Sequence, residues 1–91
     1  MYIRNKDLAY NYLSKNTAIL EDCSKNGAIH LLDKYSTFIW KKLSKKRSLN
    51  QLIDLFSNEF NEYSRREIKD AVSSIIPIML KKNIICIVKN G

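Results

Sequence analysis

The segment 27–40 marks the place where the chain changes from β to α patterning, and the fold has to be organised around it. Its first part, Ala28–Leu32, is a short apolar run after a glycine, which predicts a strand. Asp33 can cap the start of a helix. Apolar residues then recur at the three- and four-residue spacing of a helix: Tyr35, Phe38, Ile39 and Leu43. A chain that switches type here must pack its sheet against its helices at this point.

The part of the chain before this segment has the pattern of a β meander. Strands are predicted at 8–13 and 17–22, and the third strand is 28–32. The turn 24–27 ends in Asn-Gly, a pair that readily adopts the positive φ values of a tight hairpin. Residues 1–7 are mixed and polar, so we expect a frayed start.

Three helices are predicted after the meander. The first covers about 34–43, and the polar loop 44–48 follows it. Serine followed three residues later by Gln or Glu forms a capping box at 48–51 and again at 64–67, so a helix should begin within each box. Pro77 lies within the third helix and is expected to kink it or to end its first part.

The order of elements predicts an α+β fold, a winged helix-turn-helix-like domain with a three-stranded antiparallel sheet followed by three helices. The apolar segment 84–88 is expected to add a short C-terminal strand. At 91 residues the chain should be a single domain, 1–91, with an ordered core of about 8–88. The longest apolar run, 75–80, is too short to cross a bilayer, and no signal peptide is recognised, so the expected location is cytoplasmic.

Residues with catalytic or metal-binding spacing are not found in the sequence. His30 is the only histidine and lies in an apolar strand, where packing is its commoner role. Cys23 and Cys86 are the only cysteines; they show no ligand spacing with His30 and are expected to be reduced thiols. With two glycines, the chain also has no phosphate-binding loop. We therefore expect a protein that is not an enzyme and needs neither metal nor cofactor.

The positive charge is concentrated in the helical part of the chain. Of the formal net charge of +7, residues 33–91 carry +6, from twelve basic and six acidic side chains. Such a balance suits nucleic acid, an acidic peptide or an anionic surface. The densest part is 41–47, with five cations and no acid, and it is either a solvated helix end or a phosphate-binding patch.

The third predicted strand has the composition of an unprotected sheet edge. In a meander it can be an outer strand, and it contains none of the lysine or proline residues that usually keep other chains away from an edge. An open edge of this kind is either an aggregation risk or a docking site for a strand of another chain.

The order and spacing of these elements resemble the PqqD-like family, the recognition elements of ribosomally synthesised and post-translationally modified peptides (RiPPs). The similarity covers roughly residues 8–85. It rests on a strand ending in Leu-Asp, a helix with an Ile-Trp pair, a Ser-capped second helix and the two ends of the third helix. The residues concerned are Ala28 to Asp33, Phe38, Ile39, Trp40, Leu43, Ser48, Leu49, Ile53, Phe56, Asp70, Ala71, Val72 and Leu80 to Ile85. Two family glycines are missing, one within 45–47 and one at Asn83, which tolerates the left-handed conformation.

This resemblance implies a RiPP recognition element, a peptide chaperone of natural-product or redox-cofactor biosynthesis. Such a protein binds the leader of a precursor peptide by adding it as a strand to the third strand, beside the third helix. It then presents the leader to a modifying enzyme, such as a radical-SAM enzyme, a cyclase or a leader peptidase. The candidate peptide-binding residues are Ala28, Ile29, His30, Leu31, Leu32, Arg65, Arg66, Lys69, Val72, Ser73 and Ile76. The cations among them suit an acidic leader, whereas Val72 and Ile76 can equally be plain core.

The main alternative is a winged-helix DNA-binding transcriptional regulator, which would explain the charge and the three helices. A recognition helix, however, needs polar side chains that reach base edges along several turns. The third helix offers Arg65, Arg66 and Lys69 and then becomes apolar at 75–80, around a proline. Nucleic acid and membrane are therefore not the expected partners, and dimerisation stays open.

Overall fold

The computed structural model describes residues 1–23 and 26–89 and has the predicted α+β architecture. A three-stranded antiparallel sheet is followed by three helices and a short C-terminal strand, which confirms the predicted fold class. The elements are β1 Tyr2–Arg4, β2 Ala9–Ser14, β3 Thr17–Asp22, β4 Ala28–Leu32, α1 Lys34–Lys42, α2 Leu49–Glu59, α3 Arg65–Lys81 and β5 Ile85–Ile87. The predicted third strand is β4, because a strand at the N-terminus precedes the meander.

The meander forms one sheet in the order β2-β3-β4. β3 is the central strand, and its Ala18 lies opposite Tyr12 of β2 and Leu32 of β4. Asn26 and Gly27 both have positive φ, as expected for the Asn-Gly end of the turn between β3 and β4. The first half of that predicted turn, residues 24 and 25, lies outside the described residues.

The helix starts follow from side chains that accept hydrogen bonds from free backbone N–H groups. Asp33 caps α1 by accepting from the Ser36 N–H at 2.8 Å. Both predicted capping boxes are formed, so α2 and α3 begin where the sequence places them. Pro77 does not end α3, since it lies on an exposed face where water can reach the carbonyl that it leaves without a partner. In the described part of the chain, no helix combines the length and apolarity needed to cross a membrane.

The expected frayed start is wrong, because residues 2–4 form a strand. β1 pairs antiparallel with β5, with Ile3 opposite Cys86. The Tyr2 N–H also donates to the Arg47 carbonyl at 2.8 Å, and the Arg47 N–H donates back to the Tyr2 carbonyl at 3.0 Å. These partners lie more than 40 positions away in sequence, so a local polarity pattern does not reveal them. The C-terminal strand therefore belongs to a second, two-stranded sheet and not to the meander.

One hydrophobic core lies between the three-stranded sheet, the helices and β5. Its largest members are the fully buried Trp40 of α1 and Phe56 of α2. Phe56 and Phe60 lie 4.5 Å apart between ring centroids, and Phe38 of α1 packs edge-on against both rings. α3 contributes the buried Val72 to the same core. This packing fixes how α1 and α3 are oriented relative to the sheet.

A single buried hydroxyl ties α1 to the sheet. Thr37 of α1 is 1% exposed, and its Oγ1 accepts from the Ala18 N–H at 3.0 Å and donates to the Leu32 carbonyl at 3.3 Å. The hydroxyl thus bridges β3 and β4 at one end of their pairing. It holds the C-terminal end of β4 in place against α1.

Replacing Thr37 with valine is expected to lower the free energy of unfolding by about 1–3 kcal/mol, because the buried Ala18 N–H loses its acceptor. Urea unfolding followed by circular dichroism measures this loss. The matched variant Thr37→Ser keeps the hydroxyl and should lose only a buried methyl, about 0.8 kcal/mol. If the valine variant proves as stable as the serine variant, the bridge does not stabilise the fold.

Candidate functional site

β4 is an outer strand of the three-stranded sheet, with β3 on one side. Among the described residues, no strand pairs with its other edge. Two large apolar side chains of β4 are open to solvent, Ile29 at 63% and Leu31 at 66% exposure. Apolar side chains on an unpaired edge favour contact with another chain.

The hydrogen bonds at the two ends of β3 show which side of that strand faces β4. At one end, the Ala18 N–H is directed at β4, because the hydroxyl that accepts its proton donates to the Leu32 carbonyl. At the other end, the Asp22 carbonyl accepts from the Gly27 N–H at 3.1 Å, just before β4 begins. Both groups belong to even-numbered residues, so even-numbered positions of β3 direct their backbone groups toward β4.

The pairing register of β3 and β4 shows which residues of β4 direct their backbone groups toward β3. Ala18 lies opposite Leu32, and Asp22 lies opposite Ala28, so the even-numbered residues of β4 bond to β3. Backbone groups of successive residues in a strand point to opposite sides. The N–H and C=O groups of Ile29 and Leu31 are therefore directed at the open edge, where they can pair with a further strand.

A groove of about 260 Å³ lies between this edge and the C-terminal half of α3. Its lining combines the end of β4, the start of α1, one face of α3 and residues just after α3: Leu31, Leu32, Asp33, Ser36, Ile75, Ile78, Met79, Lys82 and Ile84. Ile78 is 55% exposed although it is aliphatic. The groove thus combines aliphatic side chains with polar groups, among them the carboxylate of Asp33 and the ammonium group of Lys82.

Beside the groove, a separate cavity of about 270 Å³ with a mainly apolar lining lies along the N-terminal part of α3. It is lined by Tyr35, Phe56, Tyr63, Glu67, Ile68 and Ala71. Ala71 lies one helical turn before Ile75, so the same side of α3 borders both the cavity and the groove. The Tyr35 and Tyr63 hydroxyls are 3.2 Å apart, and this hydrogen bond raises the pKa of Tyr63 above its ordinary value. The phenol at the cavity is therefore neutral at physiological pH.

The predicted strand residues lie at the open edge, with different exposures. Ala28 is exposed, like Ile29 and Leu31, whereas His30 is half-buried and Leu32 is buried. The side chain of Leu32 therefore belongs to the core, and its neighbour Leu31 is the strand residue most accessible at the groove.

The predicted helix residues do not line the groove. Val72 and Ile76 are buried in the core, which is the plain-core alternative given for them above. Arg65 forms an ion pair with Asp54 of α2, at 2.6 Å between Nη2 and Oδ1. The other three predicted residues, Arg66, Lys69 and Ser73, are exposed. At a rotation of 100° per residue they lie roughly 120–180° around α3 from the groove residue Ile75.

The groove residues of α3 that sequence reasoning did not select are Ile75, Ile78 and Lys82. They recur at spacings of three and four residues, on the side of the core stripe opposite to the predicted cations. The available signal was Ile78, an isoleucine outside the stripe Ile68, Val72, Ile76 and Met79 that the helix buries. An isoleucine outside the buried stripe of a helix indicates a contact surface.

The described part of the chain contains no cluster of side chains suited to binding a metal ion. No group of three or more His, Cys, Asp or Glu side chains is close enough there to hold a metal ion. Cys23 and Cys86 are both free and exposed. The arrangement suits recognition by backbone pairing and apolar contact.

Comparisons with known proteins are consistent with this geometry. The model of the family "Coenzyme PQQ synthesis protein D (PqqD)" matches residues 16–85. Among solved structures, the chain is similar to TbiB1 in complex with the TbiA(beta) leader peptide, with a TM-score of 0.78 and 12% sequence identity. The similarity covers 97% of this chain and 99% of that chain, and at this identity it establishes the fold. Among curated protein sequences, none matches this chain significantly.

Proposed function

This chain belongs to the PqqD family, and we propose that it binds the leader segment of a ribosomally synthesised precursor peptide and presents it to a modifying enzyme. The observation that carries the proposal is the open edge of β4 beside a groove lined in part by aliphatic side chains. The similar structure of TbiB1, in complex with a leader peptide, supports the same role here. The protein acts in this role without catalysing a reaction itself.

The proposed binding mode is strand addition to β4. A guest strand would pair with the N–H and C=O groups of Ile29 and Leu31, and these backbone bonds would supply affinity that depends little on sequence. Alternate side chains of the guest would face α3. Of the residues selected from sequence, Ala28–Leu32 form the proposed binding edge.

The groove determines which side chains the leader would need. Ile75 and Ile78 with the exposed side of Leu31 favour aliphatic or aromatic anchors at alternate positions of the guest. Lys82 at one end of the groove favours an acidic side chain near one anchor. The cations Arg65, Arg66 and Lys69 lie outside this proposed contact surface, because they lie elsewhere on α3.

A titration followed by amide NMR tests the binding mode. The probe is a synthetic leader peptide, whose sequence is taken from a short precursor gene once one has been identified near the gene of this protein, with a scrambled peptide as control. We expect a dissociation constant of micromolar or tighter, about −8 kcal/mol, with the largest shifts at the amides of Ile29 and Leu31. Shifts confined to other parts of the fold, or equal binding of the scrambled peptide, would contradict strand addition to β4.

Presentation to an enzyme is tested separately. The modifying enzyme would be a radical-SAM enzyme, a cyclase or a leader peptidase, and its rate on the precursor should rise when this protein is added. If the rate is unchanged at a saturating concentration of this protein, the proposed presentation is wrong, whereas the proposed leader binding is unaffected.

The DNA-binding alternative has less support. The cations Arg65, Arg66 and Lys69 lie in the N-terminal half of α3, whereas the exposed Ile78 lies on its C-terminal half. A helix that reads bases would present polar side chains along several turns.

A further inference from the structure

The basic residues of α1 surround a pocket that the proposed leader groove does not use. This pocket, of about 200 Å³, is lined by Lys15, Asn16, Lys34, Thr37, Phe38, Lys41, Lys42, Glu59 and Phe60. It contains four lysines and a single carboxylate, a formal charge of +3. We call it the lysine pocket. Part of the cationic run noted in the sequence therefore contributes to a concave surface and is not only a solvated helix end.

Three of the four lysine ammonium groups at this pocket contact aromatic rings or a backbone carbonyl. Lys34 Nζ lies 5.3 Å from the centroid of the Phe60 ring, and Lys42 Nζ lies 5.3 Å from that of Phe38. Lys41 Nζ donates to the Lys15 carbonyl at 2.7 Å. A ring face attracts a cation without cancelling its charge.

In the described part of the chain, no carboxylate forms an ion pair with these lysines. Over residues 1–23 and 26–89, the ion pair between Arg65 and Asp54 is the one that meets a 4.0 Å limit. The positive charge of the lysine pocket is therefore available to a ligand. The half-buried ring of Phe38 gives the pocket an apolar part, whereas Phe60 is buried and offers little surface to a ligand.

The lysine pocket and the leader groove lie on different sides of α1. Ser36 lines the groove, whereas Lys34, Phe38 and Lys41 lie roughly 140–200° around the helix from it. A ligand in the pocket would therefore not compete with a strand paired to β4.

We propose that the lysine pocket binds an acidic segment of a protein partner, and that it does so while a leader peptide occupies the groove. The second part rests on the proposed function, and the first part does not. Glutamate fits the site, because its carboxylate meets the ammonium groups while its aliphatic stem contacts the half-buried Phe38. Duplex DNA fits less well, since phosphates on a convex cylinder would reach few cations that are arranged around a recess.

The test uses a fluorescein-labelled hexaglutamate peptide and two double variants of equal charge. Lys34→Gln with Lys42→Gln removes two cations of the pocket, whereas Lys45→Gln with Lys46→Gln removes two exposed cations of the loop after α1, outside the pocket. We expect the pocket variant to weaken binding about tenfold or more and the loop variant less than about threefold. Circular dichroism melts check that both variants fold.

Three outcomes would overturn the proposal: no binding of hexaglutamate to the native chain, equal losses in the two variants, or pocket-dependent binding of a DNA duplex of about 20 base pairs that is tighter than that of the peptide. Displacement of hexaglutamate by saturating leader would overturn simultaneous binding. A native chain that binds hexaglutamate at the pocket but no leader would overturn the proposed function and leave the acidic-segment site supported.

Discussion

Replacing Ile29 with proline is expected to abolish leader binding while the domain stays folded. The Ile29 amide faces the open edge of β4, so proline removes a donor to the guest strand and leaves the bonds between β3 and β4 in place. The proline ring would also occupy the space of the guest carbonyl that this amide should meet. A lost backbone bond, an unpaired guest carbonyl and this clash together should cost on the order of 100-fold in affinity or more.

Two further variants separate the contribution of the Ile29 backbone amide to leader binding from that of the Ile29 side chain. Ile29→Thr keeps both the amide and a β-branched residue suited to a strand, so it measures the loss of the exposed apolar side chain alone. His30→Pro removes a bond to β3 and should instead destabilise the fold. Fluorescence anisotropy with a labelled leader gives affinity, and thermal melts give stability. If Ile29→Pro binds as well as Ile29→Thr, the leader does not pair with this edge.

Elements defined by local chemistry could be predicted from the sequence. The helices α2 and α3 begin within the two capping boxes, because the stabilising hydrogen bonds join residues three positions apart. The Asn-Gly pair likewise adopts its turn conformation through its own backbone preferences. Strand β4 could be placed between this turn and the cap at Asp33 for the same reason.

Elements defined by distant partners could not be predicted in this way. β1 has three residues, and its pairing with β5 and with Arg47 gives it order that its own composition does not indicate. The same holds for Thr37, whose hydroxyl bridges two strands of the sheet. In each case the partner becomes known only when the helices have been packed onto the sheets.

The same distinction between local and distant interactions applies to the candidate site. An outer strand without protecting residues can be recognised from sequence, but the side of α3 that meets it cannot. The buried stripe of Val72 and Ile76 fixes which side of α3 faces the core and leaves two flanks. By its charge, the flank rich in cations suits an acidic leader, whereas packing turns the other flank, with Ile75 and Ile78, toward β4.

Replacing Ile78 with glutamate is expected to weaken leader binding about 30-fold or more without destabilising the free domain. The side chain is 55% exposed, so the free protein tolerates a charge there. A leader in the groove would bury that charge against apolar anchors, which costs several kcal/mol unless a partner is found. Lys82 lines the same groove and can offset part of this cost, so the expected loss is smaller than for Ile29→Pro.

The matched variant is Ser73→Glu, an exposed position on the opposite flank of the same helix with the same change in charge. Affinities of both variants for the labelled leader decide which flank of α3 faces the bound peptide. If the groove beside Ile78 holds the leader, the glutamate at position 78 weakens binding and the one at 73 changes it less than about twofold. If the cationic flank predicted from sequence holds it, the effects are reversed, because the new carboxylate would then lie beside Arg66 and Lys69 and would compete with an acidic leader for them.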